Sequence, residues 1–253
     1  KEEKMKTTPL RPFRVIQILS FILGPICMVA YFDPMLILAT FGFAWVITQL
    51  GDAVYHRCFA HKMYEPKNRP MKLLMLFLSS YTVWGSAIEW ALLHRVHHKW
   101  PDTDVDPHSV KLHGWFNVWT LNWYNVEHMK ERKYAKMIID LLRDKDLVWQ
   151  HKYHNYTMLF WPTLLGSIAF YLGSFEFFVW TYIVPQFHAN FFSGMLNVLG
   201  HTHPHWKWVG FVCAGHGDHD QHHLNQSQHK YNWADFTVYW TRLFGKNFKR
   251  ELV

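Results

Sequence analysis

Cysteine is scarce in this 253-residue chain: Cys27, Cys58 and Cys213 form an odd set without CxxC spacing, which reads as free, buried thiols. No GxSxG, HExxH or P-loop is present, so nothing pairs a nucleophile with a general base. GHGDHD, at residues 215–220, is not a dinucleotide fingerprint, because GxGxxG is incomplete and no strand precedes it. The chain therefore offers no flavin or nicotinamide site. Acidic residues are outnumbered, 19 against 26, for a formal charge of +7. No nucleic-acid-binding motif accompanies that charge, and membrane orientation with anionic lipid headgroups accounts for it instead.

The mean hydropathy of -0.13 averages two unlike parts. Residues 13–32 and 35–55 each approach the roughly 20 apolar residues that span hydrocarbon, with Asp33 and Pro34 as the turn between them. Residues 157–172 and 175–199 form a second apolar pair broken at Gly173 and Ser174. The expectation is an all-α integral membrane protein, one domain over residues 1–253, with four transmembrane helices in two hairpins and a cytosolic helical cap from residues 56–156 and 200–253. No small-residue cleavage site follows the first apolar run, so that span is expected to stay. Lys and Arg occur at five positions up to Arg14, at 15 from Arg57 to Lys152 and at six from Lys207 onward, and at neither turn. The positive-inside rule then puts both termini and the central segment in the cytoplasm. Residues 71–93 are apolar enough to suggest a fifth span, but the histidines on either side must share one membrane face, so the stretch is expected in the interface.

There are 19 histidines, and three clusters stand out: His56 and His61 in HRCFAH, His94, His97 and His98 in HRVHH, and His219, His222 and His223 in HDQHH. Positions i, i+3 and i+4 share a helix face, so each HxxHH aims three imidazoles at one point. His61, at i+5 from His56, would fall off that face, so this pair must wrap a helix end or a distortion. Asn197 and His201 in NVLGH, again i and i+4, close the last span. All four groups converge on one membrane side. Neutral imidazole suits zinc, copper, iron or nickel. A catalytic zinc takes about three protein ligands, and this constellation fits two metals better.

HRCFAH, HRVHHKWPDTDVDPHS, NVLGH and GHGDHDQHH together resemble the membrane fatty acyl desaturase family, especially the branch with the stearoyl-CoA Δ9 desaturases. The resemblance runs from the second span to about Gly245, and WxxxHRxHHK with the TDxDPH tail is its most specific part. It implies two iron ions held by His56, His61, His94, His97, His98, His201, His219, His222 and His223, with Asn197 holding a water. It also implies a mushroom-like fold of four membrane helices under a cytosolic cap. The family's third box usually reads GEGxHNxHH, whereas here His216 stands for the Glu and Asp220 for the Asn. The remaining histidines, among them His108, His128, His151, His154, His188, His203, His205 and His229, lack ligand spacing and are read as outer-sphere or surface groups.

The activity so implied is the oxygen-dependent insertion of a cis double bond, at Δ9 by that resemblance, into a saturated chain carried as acyl-CoA or acyl-lipid. Electrons would come from a separate donor, cytochrome b5 or a ferredoxin, docking on the basic cytoplasmic face. The compartment would be the endoplasmic reticulum in a eukaryote or the inner membrane in a bacterium. The nearest rival is the same scaffold hydroxylating an alkane, sterol or carotenoid. A metal-binding transporter is more remote, since the spans show little polarity beyond Gln49 and Asp52. The acyl tail should run down the second span, where Ala44 and Thr40 lie ~18 and ~24 Å before His56. In a straight helix they sit about 120° and 160° from it, so only a bend aims both at a tunnel.

Overall fold

The computed structural model describes residues 12–120, 132–203, 206–213, 219–225 and 233–249. These residues are mostly helical. The long helices are α1 (Pro12–Ala30), α2 (Pro34–Gly51), α3 (Arg69–Ser79) and α4 (Ala87–Lys99), with short α5 (Val110–His113), α6 (Trp115–Trp119), α7 (Arg132–Ala135) and α8 (Ile139–Leu142) after them. Then come α9 (Lys145–Leu172), α10 (Phe175–Phe178), α11 (Val184–Thr202), α12 (Lys207–Val212), α13 (His219–Leu224) and α14 (Thr237–Phe244). Glu65–Pro66 pairs antiparallel with Gly245–Lys246 as the two short strands β1 and β2, which tie the end of the chain to the exit from α2.

Both hairpins are set by local chemistry. Asp33 caps α2, its carboxylate accepting from the backbone N–H of Met35 at 2.8 Å and of Leu36 at 3.1 Å, with Pro34 at the first helical position. Gly173 ends α9 with φ +62°, a left-handed conformation that a side chain would resist, and Ser174 caps α10 through the N–H of Phe177. The two tips meet, with the rings of Tyr31 and Phe175 6.2 Å apart. Around them Val29, Phe32, Met35, Phe170 and Tyr171 are wide open, Phe170 being 90 % exposed. So large an apolar surface has no place in water and fits the hydrocarbon of a bilayer.

Two helices among the described residues are long and apolar enough to cross a membrane: Phe13–Ala30, and Pro34–Ala60, where α2 continues as a π-helix over Asp52–Ala60. A third would be counted if α3 and α4 were one broken span. They are not collinear. The two segments meet at 73°, so residues 71–93 do not form one straight helix. Val83 sits at the bend with φ 56°, an outlier for a β-branched residue. It is held there by its neighbours: the Gln17 amide donates to the Val83 carbonyl at 3.0 Å, the Gln186 amide to that of Tyr81, and the Tyr81 hydroxyl to that of Thr181 at 2.7 Å.

On the other side of the bend, salt bridges tie α3 to the start of α9. Arg69 and Lys72 of α3 bind Asp146 and Asp144 at the start of α9. Arg95 of α4 donates to Asp140 and to the carbonyls of Phe59, Ala60 and Met137. The helix bearing three histidines is thereby locked to the exit of the π-helix. Gly194 lets α11 come against the Trp119 carbonyl of α6, where a Cβ has no room.

Candidate metal centre

The distortion that the five-residue spacing of His56 and His61 calls for is the π-helix. The His61 N–H bonds the His56 carbonyl at 2.9 Å, an i→i−5 bond, and the wider turn brings the two rings together edge to face. Their ring centroids are 4.6 Å apart. α4 supplies His94, His97 and His98, α11 supplies His201, and α13 supplies His222 and His223.

The imidazoles form two groups. His56, His61, His94, His98 and His222 make one, and His97, His201 and His223 the other, the donor atoms of each lying within 4.8 Å of one another. The groups are adjacent, since the rings of His98 and His223 stack at 4.3 Å. The side chain of His219 lies outside the described residues, as do those of Asp220 and all of His205, His216, His128 and His229. Asn197 lines the cavity beside His56, His94 and His222.

The Nε2 of His61 is 3.0 Å from that of His56 and 2.9 Å from that of His94. The Nε2 of His222 is 2.9 Å from that of His56 and 2.8 Å from that of His98. In the second group Nε2 of His97 is 3.2 Å from that of His223. Two nitrogens bound at right angles to one ion, about 2.1 Å from it, are about 3.0 Å apart. The spacing is therefore that of adjacent ligands.

Aspartates fix the outer face of two rings. Asp52 lies 2.5 Å from His56 Nδ1, and Asp106 lies 2.9 Å from His97 Nδ1. Each carboxylate holds the Nδ1 proton and leaves the Nε2 lone pair pointing inward. Asp106 is itself fixed by the N–H groups of Asp102 and His108, both at 2.8 Å. Arg57, wholly buried, spans Asp52 at 2.9 Å and Asp235 at 2.7 Å.

Burial pushes His61, His94, His97 and His98 well below the usual histidine range, and the neighbouring rings push the same way. His223 is lowered to about 4, by burial first and by His201 next. These rings are neutral at neutral pH. Neutral rings with lone pairs converging at 2.8–3.2 Å repel one another unless a cation lies among them, and an all-imidazole set suits iron, copper, zinc or nickel. The residues fit a pair of transition metals.

The cavity against the centre is lined by Thr48, Trp84, Trp90, Leu93, Ser193, Asn197 and Cys213, among others, and Trp90 stacks on His94 at 4.8 Å. Thr48 and Cys213 also line a smaller cavity with Ala44, Phe41 and His188. Thr40 instead lines a separate apolar cavity of about 600 Å³ with Leu36, Phe43, Leu78 and Trp161. The structure thus brings Ala44 next to the site's cavity but not Thr40. Sequence reasoning assigned no role to Asp52, Arg57, Asp106 or Asp235. The TDxDPH tail was the signal for Asp106. The expectation that the spans carry little polarity beyond Gln49 and Asp52 is corrected, because α11 buries Gln186, His188 and Asn190.

No family model matches the chain. It is 28 % identical over 225 residues to the Delta(9)-fatty-acid desaturase fat-7 of Caenorhabditis elegans, covering 81 % of this chain and 66 % of that one. The sn-1 stearoyl-lipid 9-desaturase of Synechocystis is 27 % identical over 202 residues, 74 % of this chain and 60 % of its own length. Delta-9 acyl-lipid desaturase 2 of Arabidopsis thaliana is 27 % identical over 239 residues, 87 % and 75 % respectively. The chain thus spans less than two thirds of the first two relatives. Over most of its length the chain is thus similar to Δ9 desaturases from an animal, a cyanobacterium and a plant, and its paired histidine groups accord with the membrane fatty acyl desaturase family.

Proposed function

We propose that this protein is an oxygen-dependent fatty acyl desaturase that introduces a cis double bond, at Δ9, into a saturated chain carried as acyl-CoA or acyl-lipid. The observation that carries this is the pair of adjacent histidine groups, one for each of two irons. In this reading His56, His61, His94, His98 and His222 serve one ion. His97, His201 and His223 serve the other, with His219 joining the ligands from α13 and Asn197 holding a water. Iron bound there supplies the chemistry that the side chains lack, dioxygen activation and hydrogen removal from an unactivated methylene.

The protein's own groups orient and exclude. Asp52 and Asp106 hold the Nδ1 protons of His56 and His97, and Arg57 keeps the buried Asp52 charge balanced. Trp84, Trp90 and Leu93 make a dry wall for an acyl chain passing the centre. The tail then passes Thr48 and Cys213 towards Ala44. The membrane arrangement is four spans, the two hairpins with their joined tips outside and both termini cytoplasmic. Electrons reach the cap from a separate cytochrome b5 or ferredoxin. The test is expression in a desaturase-deficient host with fatty acid analysis. A new monounsaturated acid is the expected product, and a hydroxylated lipid in its place would overturn the reading.

A further inference from the structure

Helix α11 carries a polar stripe of which the metal centre uses only the last two members. Gln186, Asn190, Ser193, Asn197 and His201 are spaced by four, three, four and four residues, which places them within about 80° of the helix circumference. The stripe starts ~22 Å from His201, inside the apolar part of the molecule. α1 faces it with Gln17 and Ser20, one turn apart. The Asn190 amide donates to the Ser20 hydroxyl at 3.1 Å, and that hydroxyl donates to the Gln17 carbonyl at 2.7 Å.

These side chains are only half satisfied. Gln17, Gln186 and Asn190 each use the amide N–H, towards Val83, Tyr81 and Ser20. Their carbonyl oxygens, and the hydroxyl of Ser193, have no partner among the described residues. Gln17 is 4 %, Gln186 1 % and Asn190 0 % exposed. Buried polar atoms in an apolar setting are paired with protein or with ordered water. Among the described residues the protein offers none, and three acceptors with one hydroxyl suit water, which can donate twice and accept. Gln17 and Ser193 also line the cavity that holds Asn197 and His56, and Glu89 lines it too.

We propose that Gln17, Gln186, Asn190 and Ser193 hold a file of ordered water molecules between α1 and α11. The file joins Glu89 to Asn197 across the cavity and carries protons to the histidine centre. This rests on the desaturase reading, in which dioxygen, two electrons from the external donor, two protons and two hydrogens of the acyl chain become two waters and an alkene. The two protons must reach histidines that are buried, and none of the cavity's apolar walls can relay them. Glu89 takes them from the cytosolic side, the file passes them on past Gln17 and Ser193, and Asn190 and Gln186 hold the deeper waters.

The test has two arms on the purified full-length protein. In the metal-free protein, radiolysis in ¹⁸O-water labels side chains beside bound water, and Tyr81 and Met158, both buried at the bend, are the reporters. Label is expected in the wild type and its loss in Asn190→Leu combined with Gln17→Leu; an unlabelled wild type overturns the water file. In the iron-loaded enzyme, Ser193→Ala should lower kcat about tenfold or more with KM and iron content unchanged and a larger solvent deuterium isotope effect, and Ser193→Thr should restore it. Unchanged kcat, or a loss of iron in parallel, overturns the proton role. Labelled protein that forms no double bond overturns the desaturase reading and leaves the water file standing.

Discussion

Replacing Asp106 with Asn is the sharpest perturbation of the centre that leaves every imidazole in place. Asp106 is buried and its Oδ1 meets the His97 Nδ1 proton at 2.9 Å, while both oxygens accept backbone N–H groups at 2.8 Å. An amide keeps the shape but has one acceptor in place of two. With its oxygen in the Oδ2 position, kept by the Asp102 N–H, its N–H faces the His97 Nδ1–H, two donors meet, and the ring shifts its proton to Nε2, where the metal should bind. Loss of such an outer partner typically lowers metal affinity about 10–100-fold, or about 1.4–2.7 kcal/mol. Only the group containing His97, His201 and His223 should suffer. Iron measured by mass spectrometry after graded chelator treatment should therefore fall from two ions to one per chain, with the second leaving only at wild-type chelator strength. Both ions retained to wild-type strength would refute the tautomer argument, and both lost together would refute the division into two groups.

Alanine at any of the nine proposed ligand histidines should abolish desaturation, while His128→Ala and His229→Ala should leave turnover largely intact; full turnover in His219→Ala would remove that residue from the set. A reporter at Gly173 should be reached from outside and one within residues 130–152 only from the cytoplasm, as labelling of intact cells will show. Ala44→Phe should shorten the longest accepted chain with iron content unchanged, read by product analysis over a series of acyl lengths. Because His223 is lowered to about 4, its neutral form dominates in the folded protein while the unfolded chain takes up a proton near 6.5. Stability from this group is complete above pH 6.5 and drains away as pH falls to about 4, so the metal-free protein should show a melting temperature that declines across that window.

The histidine pattern carried much of the site because metal ligands need residue type and spacing, both of which are written along the chain. HxxHH on α4 and the i, i+4 pair on α11 depend only on helix geometry. The demand for a distortion at His56 was also local, and the π-helix meets it. The groups that hold the centre from outside were not legible, since Asp235 reaches Arg57 across 178 residues and no periodicity marks that contact. The split into five and three rings was equally hidden. HRVHH divides between the two groups, with His94 and His98 going one way and His97 the other, which only the positions of α11 and α13 decide. Ala44 and Thr40 line different cavities, because helical phase gives direction from one helix only, while α3 and α9 determine which cavity receives the Thr40 side chain.

The buried guanidinium of Arg57 has a consequence for the order in which the chain can fold. During synthesis the second span is complete long before residue 235 exists, so the early chain can offer Arg57 the Asp52 carboxylate but not that of Asp235. Arg57 keeps Asp52 as a partner, so what the early chain lacks is the second carboxylate, a charge-assisted hydrogen bond worth about 1.5–3 kcal/mol. The π-helical turn that aligns His56 with His61 therefore gains its second clamp only when the segment bearing Asp235 docks. The first metal-binding pair is fastened by a residue made 178 positions later.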